Sequence, residues 1–252
     1  MDESSLRASA PCARGGPWVT VAAGVGLFAS VAYSSFPLQW VVGSRLSVIR
    51  SYVSELSVAG QSGAVVFRVG DTIGGVGLVV LAAGLAASCV RGSRWAVAGA
   101  IALAVTGLGS AADGVWPMPC APSADPVCRA LDRSTLSSQL AQAHTLTGLL
   151  EFTAAVIAAV LFGAVLLRLP GHHPLGLFTL AAGLAVGALG LGEIAMVLAD
   201  ARVVGVPERA QVLLVSLFCA ALSLHLLCRR RPSARRVPRS RSATVGPSAN
   251  PE

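Results

Sequence analysis

The chain has 252 residues, of which 54% are hydrophobic and only 12% are charged, and its mean hydropathy is +0.70. Soluble globular domains carry about 25% charged residues, so this composition excludes an ordinary soluble domain and indicates a membrane protein. All 19 basic residues are Arg, and together with 12 acidic residues they give a net charge of +7.

Six stretches are long and apolar enough to cross a bilayer, because a transmembrane helix needs about 20 mainly apolar residues. In chain order they are Trp18–Phe36, Val69–Val90, Trp95–Ala112, Ala143–Leu167, Leu175–Ala199 and Val206–Leu227. Gly and Ala are frequent in several of them, and small residues let helix backbones approach closely. The sequence therefore predicts an all-α, polytopic bundle of six transmembrane helices over residues 18–228.

The distribution of Arg predicts the orientation of this bundle. If both termini are cytoplasmic, the inner segments, including tails at 1–17 and 229–252, hold twelve Arg and the outer segments seven. Cytoplasmic loops carry the excess of basic residues, so we expect a plasma-membrane protein with both termini inside. The Arg-rich tail at 229–252 is predicted to be disordered and to contact anionic lipid. We do not expect it to bind nucleic acid, since no aromatic residues interleave it.

Cleavage of the first span as a signal peptide is the alternative interpretation of the N-terminal region. Basic residues precede this span, but its apolar stretch is long for a signal peptide.

The first long outward segment, residues 37–67, has the pattern of an amphipathic helix. Read as a helix, it places apolar residues on one arc and polar residues on the other. The apolar residues are Val42, Leu46, Ile49, Val53 and Leu56. This pattern predicts a helix that lies in the membrane interface before the second span.

The second long outward segment, residues 113–142, is rich in Pro, Ser and Asp and contains two Cys residues. Cys120 and Cys128 have seven residues between them, and none of these is His. An oxidising compartment favours a disulfide between them, with two free thiols as the alternative. The spacing is not that of a metal site.

Ionisable side chains within the spans are candidate functional residues, because inserting them into a bilayer is costly. The candidates for catalysis are Asp71, His144, Glu151 and Glu193, and those for binding are Ser54, Glu55, Arg68 and Asp113. The predicted topology places them all in or just above the outer half of the bilayer. We therefore predict a polar pocket open to the outer side. His144 and Glu55 should lie near its mouth and Glu151 at its base, provided that spans two, four and five are neighbours.

Structural roles are the alternatives for these residues. A cap at the start of span four would explain His144, and solvation at a span end would explain Asp113. Glu151 and Glu193 lie well inside their spans, so each needs a partner or a proton. Arg68 and Arg209 are the nearby cations. An ion-pair lattice is therefore the alternative to a reaction centre.

The segment before span two also resembles a known family. Tyr52–Leu56 resembles the Y-x-S-E-L signature of a microbial membrane family catalogued as domain of unknown function 998. The Pro-containing stretch Asp113–Pro117 and the His that opens span four, His144, are similar to the same family. This resemblance covers about Val19–Leu227 and implies a six-helix bundle, but no established activity. A fainter likeness links the Ser-Glu before span two and the His of span four to the Frag1/DRAM/Sfk1 group of eukaryotic membrane proteins, which hints at lipids.

Three functions are compatible with these patterns. The first is binding or sensing of an envelope lipid, or of a membrane protein partner, through the outward pocket. The second is a membrane enzyme for an outer-leaflet lipid, with His144 as base and Glu151, Asp71 or Glu193 as acid or orienting group. The third is a small-solute or proton-coupled transporter, which the lack of a repeat between the two halves opposes. No cofactor is predicted, and a single His on this side disfavours a zinc centre.

Overall fold

The computed structural model describes residues 16–89, 93–132, 142–199, 201 and 203–228. Within these ranges the chain forms seven α-helices and two short 3₁₀ turns, Phe36–Gln39 and Ser54–Ser57. The helices are α1 (Pro17–Tyr33), α2 (Ala64–Cys89), α3 (Arg94–Val115), α4 (Pro126–Asp132), α5 (Ala143–Leu167), α6 (His173–Leu198) and α7 (Gly205–Cys228).

Six of these helices, all except α4, are long and apolar enough to cross a membrane. The predicted all-α, six-span architecture is therefore confirmed, and the chain is a multi-pass membrane protein. The main difference lies at α2, which begins at Ala64, five residues earlier than predicted. Arg68 consequently belongs to the helix rather than to the loop before it. The predicted tail at 229–252 and all but the last two residues of the tail at 1–17 lie outside the described residues.

The six spanning helices form a ring in chain order. Each one packs against its neighbours in sequence, and α7 closes the ring by packing against α1. The connections α1–α2 and α3–α5 are long and lie at one end of the bundle, which we call the long-loop end. The connections α2–α3 and α5–α6 are short and define the short-loop end.

Glycines bring α2 and α3 into close contact. A Cβ atom on Gly75 would lie only 2.3 Å from the carbonyl oxygen of Gly107, and a Cβ on Gly107 would lie 2.5 Å from the carbonyl oxygen of Gly75. The two backbones therefore touch directly, as small residues allow in membrane bundles.

An apolar core fills the bundle from its middle toward the short-loop end. Its fully buried large side chains include Leu78, Leu81, Leu103, Val215, Phe218 and Leu222. The ends of the bundle carry the four Trp of the chain, all exposed: Trp18 and Trp95 at the short-loop end, Trp40 and Trp116 at the long-loop end. Trp is enriched at both membrane–water interfaces, and the positions of these four residues at the two ends of the bundle are consistent with that preference.

The prediction of an amphipathic helix over residues 37–67 is wrong. Apart from the two 3₁₀ turns, this part of the chain consists of bends and turns up to the start of α2, and Gly43 has a φ of +67°. Its backbone makes local turn hydrogen bonds, such as Ser51 N–H to the Ser47 carbonyl oxygen (2.9 Å). It also accepts hydrogen bonds from α7: Arg209 Nη1 donates to the carbonyl oxygens of Val48 (3.0 Å) and Ser51 (2.8 Å). We call residues 36–63 the cap segment.

Adding one methyl group at Gly75 should destabilise the bundle. The methyl has no room between α2 and α3, so Gly75→Ala should cost about 1–3 kcal/mol through overpacking. Gly24→Ala is the matched control, because a Cβ there meets nothing within 4 Å and Ala favours helix. Thermal unfolding in detergent should show a lower midpoint for the first variant only. Equal midpoints for both variants would contradict the close α2–α3 contact.

Candidate functional site

A small polar pocket lies beneath the cap segment at the long-loop end. Its volume is about 100 Å³. It is lined by Tyr33, Val53, Ser54, Ser57, Asp71, Ser110, Asp113, His144, Gly148, Glu151, Phe152, Glu208 and Val212. These residues come from the cap segment and from every spanning helix except α6. The pocket can hold several water molecules, but it is smaller than the ~300–1,000 Å³ of a typical small-molecule site.

Tyr33 and Glu151 form a direct link across the interior of the bundle. The Tyr33 hydroxyl donates a short hydrogen bond to Glu151 Oε1, and both side chains are buried. Glu151 fits there because α3 presents Gly109 to it: a Cβ on Gly109 would lie 2.8 Å from Glu151 Cβ. A buried carboxyl group needs such a partner, and the phenol supplies it.

Asp113, His144 and Thr147 form a second polar group, where α3 ends and α5 begins. The Thr147 hydroxyl donates a short hydrogen bond to Asp113 Oδ1. His144 Nδ1 lies 3.2 Å from the same oxygen. This approach is an ion-pair contact rather than an aligned hydrogen bond, since Nδ1 has no hydrogen-bond partner in the described part of the chain. The carboxylate therefore lies beside the imidazole ring without an aligned hydrogen bond to it.

Glu208 attaches the cap segment to α7 at the edge of the pocket. Its carboxylate accepts hydrogen bonds from the backbone N–H groups of Val53 (2.5 Å) and Ser54 (3.4 Å). These amides lie at the start of the second 3₁₀ turn, so Glu208 acts as a cap supplied by another helix. The next residue, Arg209, donates to Gln39 Oε1 (3.1 Å) as well as to the cap carbonyls described above.

Glu55 joins the two long connections outside the pocket. Its side chain is fully buried, and Oε2 accepts hydrogen bonds from the Ser123 backbone N–H (3.1 Å) and hydroxyl (2.5 Å). Ser123 lies between Cys120 and Cys128, which form a disulfide with a Cα–Cα distance of 5.9 Å. The closed loop thus presents Ser123 to the cap segment.

The pocket is rich in acidic groups. Among the described residues that line it, four carry a carboxyl group, one is His and none is Arg. The described residues also contain no group of three or more His, Cys, Asp or Glu with the geometry of a metal site. The arrangement can therefore accept hydrogen bonds from a small donor group.

A match to a protein-family model identifies the family to which this chain belongs. Residues 22–225 match the model of a family described as a protein of unknown function (DUF998). The chain belongs to this family. No curated protein and no solved structure matches it. For this DUF998 chain the six-helix bundle that the resemblance implied is confirmed, and the fainter likeness to the Frag1/DRAM/Sfk1 group stays a prediction.

The structure brings together five of the eight residues predicted for the site of this DUF998 protein. Ser54, Asp71, Asp113, His144 and Glu151 line the pocket. Their roles in binding or catalysis remain predictions.

The other three predicted site residues lie elsewhere. Glu55 is buried against the disulfide loop instead of lining the mouth. Arg68 Nε and Nη2 donate to the carbonyl oxygens of Gly114 (3.1 Å) and Val115 (3.4 Å), where they join α2 to the end of α3. Glu193 of α6 does not line the pocket. Spans four and five pack against each other as expected, but span two does not adjoin them, because α3 lies between α2 and α5 in the ring.

Two lining residues, Tyr33 and Glu208, were missed as site residues. Tyr33 ends the first span, and Glu208 opens the sixth. Their positions at the same end of the bundle as His144 were the available signal, because ionisable groups at matching depth can meet in a packed bundle.

The Tyr33–Glu151 link should show strong energetic coupling. Tyr33→Phe leaves the buried Glu151 carboxyl without its donor, which should cost about 1–3 kcal/mol of stability. Once Glu151→Gln has removed the carboxyl, the same Tyr33→Phe change should cost less. A double-mutant cycle by thermal unfolding in detergent measures the coupling. Additive effects would contradict a direct bond.

Proposed function

We propose that this DUF998 protein is a plasma-membrane protein whose pocket binds a polar group of an envelope lipid. Its long-loop end would face away from the cytoplasm, with both termini inside. The observation that carries the proposal is the capped, acid-rich pocket, to which five spanning helices contribute. Binding to the polar group of a membrane protein partner is the other form of the same function.

The depth of the pocket supports a lipid headgroup as the ligand. His144 is the second residue of α5, and Glu151 lies eight residues after Ala143, which corresponds to about 12 Å of helix rise. In the proposed orientation, a pocket of this depth would extend from the headgroup region into the outer leaflet. Its volume of about 100 Å³ suits a small polar group and excludes an acyl chain.

The orientation is supported by the Arg distribution and by the disulfide. The predicted inner segments hold twelve Arg and the outer segments seven, and basic residues favour the cytoplasmic side. The loop that carries Cys120 and Cys128 lies at the long-loop end. Disulfides persist in oxidising compartments, which is consistent with this end facing outward.

A lipid-modifying enzyme is the second candidate, and the Asp113–His144 pair favours it. A carboxylate close to an imidazole is one element of a general-base site. The hydroxyls of the pocket do not complete such a site. Ser57 donates to the Ser54 carbonyl oxygen (2.7 Å) and Ser110 to the Asp71 carbonyl oxygen (3.0 Å). Binding is therefore the better-supported function. Transport is less favoured, because the apolar core lies beneath the pocket.

Reporter fusions test the proposed orientation. Fusions after Arg94, Arg168 and Arg229 should report a cytoplasmic location. Fusions near Ser123 and Gly205 should report an external one. A cytoplasmic signal at Ser123 would reverse the orientation.

Lipids that co-purify with the protein test the binding function. Mass spectrometry should find one lipid class enriched on the wild-type protein relative to the membrane it came from. Asp113→Asn combined with Glu151→Gln should reduce that enrichment at least tenfold, since two acceptor carboxylates are lost; tenfold corresponds to about 1.4 kcal/mol. Asp125→Asn is the control, because Asp125 is exposed and outside the pocket.

Three other outcomes would change the conclusion. Equal lipid content in all three proteins would contradict binding in the pocket. Enrichment of a co-purified protein, lost in the double variant, would point to the partner form instead. A chemically altered lipid that accumulates with wild-type protein and not with His144→Ala would favour the enzyme.

A further inference from the structure

A buried amide between α6 and α7 has an oxygen without a partner. Gln211 of α7 is 1% exposed, and its Nε2 donates to the carbonyl oxygen of Val186 on α6 (3.1 Å). The Val186 carbonyl can only accept, which fixes the amide with its nitrogen toward Val186. Gln211 Oε1 then remains buried and without a hydrogen-bond partner in the described part of the chain. Such a group requires a donor.

Glu193 of α6 presents a second unpartnered acceptor at the same interface. Its side chain is partly exposed, yet Oε1 is buried and has no hydrogen-bond partner among the described residues. Val186, Gly190 and Glu193 follow the i, i+4, i+7 pattern, so they share one face of α6. Because Gln211 contacts the first two of these positions, Glu193 lies about one turn further toward the long-loop end.

Gly190 lets the Gln211 amide pack directly on the α6 backbone beside these acceptors. A Cβ on Gly190 would lie 3.1 Å from Gln211 Nε2 and would meet no other atom within 4 Å. Leu191 and Ile194 on the adjoining part of α6 are exposed, so the two acceptors lie next to the lipid-facing surface. We call this part of the helix interface, with Glu193 and Gln211, the α6–α7 crevice.

The nearest charged groups on α7 do not supply the missing donor. Glu208 offers no donor, because its carboxylate accepts hydrogen bonds from the cap segment. Arg209 directs Nη1 and Nη2 to the cap carbonyls and to Gln39, and its Nε has no hydrogen-bond partner among the described residues. The crevice therefore presents two acceptor oxygens, one of them on a carboxyl group, which favours a donor that can also carry positive charge.

We propose that the α6–α7 crevice binds a primary ammonium group, from an amine-bearing phospholipid or from a small free amine. The group has three N–H donors on one compact charge. One N–H would reach Glu193 Oε1, and a second would reach Gln211 Oε1. Glu193 is five residues before the end of α6, about 8 Å below the helix end, which a headgroup can reach. This site lies outside the pocket and does not depend on its proposed function.

Lipid nanodiscs that differ only in N-methylation test this site. Phosphatidylethanolamine and phosphatidylcholine carry the same charge, but only the first has N–H donors. Each is mixed with the same fraction of phosphatidylglycerol, and thermal unfolding of the full chain is measured. The wild-type midpoint should be about 2–4 °C higher with phosphatidylethanolamine, because a ligand that binds the folded state stabilises it.

Variants separate the crevice from general effects of the bilayer. Glu193→Gln keeps the shape but supplies its own donor to Gln211, so the difference between the two lipids should disappear. Gln211→Met should reduce the difference at least by half. Asp125→Asn, at an exposed position away from the crevice, should retain it. A wild-type-like midpoint of Glu193→Gln in phosphatidylcholine shows that the variant is folded.

Free ethanolamine and choline distinguish the two sources of the ammonium group. If ethanolamine, but not choline, stabilises the protein in phosphatidylcholine nanodiscs, the crevice takes a free amine. An effect of phosphatidylethanolamine alone identifies the lipid. The proposal is overturned if neither amine source has an effect, or if Glu193→Gln retains the full wild-type difference.

Discussion

Glu208 and Arg209 are consecutive residues at the start of α7, and both direct their side chains to the backbone of the cap segment. Arg209 donates to the carbonyl oxygens of Val48 and Ser51, while Glu208 accepts from the amide of Val53. Irregular backbone at membrane depth is tolerated only where protein groups satisfy its hydrogen bonds. Each buried group left unpaired would cost about 1–3 kcal/mol. The position of the cap segment, and so the roof of the pocket, depends on these two side chains.

A second attachment comes from the other long connection. The disulfide loop places Ser123 against the buried carboxylate of Glu55, and the Ser51 and Ser123 hydroxyls are 2.7 Å apart. Arg129 fixes the loop from the inside by donating to the carbonyl oxygens of Pro122 (2.9 Å) and Ser123 (3.0 Å). The two long connections thus support each other above the bundle. Both connections therefore contribute contacts that hold the residues covering the pocket.

Close packing of the helices explains why acidic groups from distant parts of the chain can meet at all. Gly75 and Gly107 bring the backbones of α2 and α3 into contact, and Gly109 makes room for Glu151 of α5. The pocket and the proposed α6–α7 crevice both present acceptor oxygens toward the long-loop end of the bundle. Such groups suit a ligand that donates hydrogen bonds.

The sequence by itself determined the number of spans, because about 20 apolar residues per helix is a local requirement that composition reveals directly. It also predicted that Asp113, His144 and Glu151 lie toward the same end of the bundle, since position within a span sets the distance from the helix end. The conformation of the cap segment was decided only by tertiary structure. Its apolar spacing is that of a helix, but the carbonyl groups of Val48 and Ser51 accept hydrogen bonds from the Arg209 guanidinium of a distant span. Tertiary structure also decided which side chains form hydrogen bonds with each other, as Tyr33 and Glu151 do. The sequence of one span does not determine which helices pack against it.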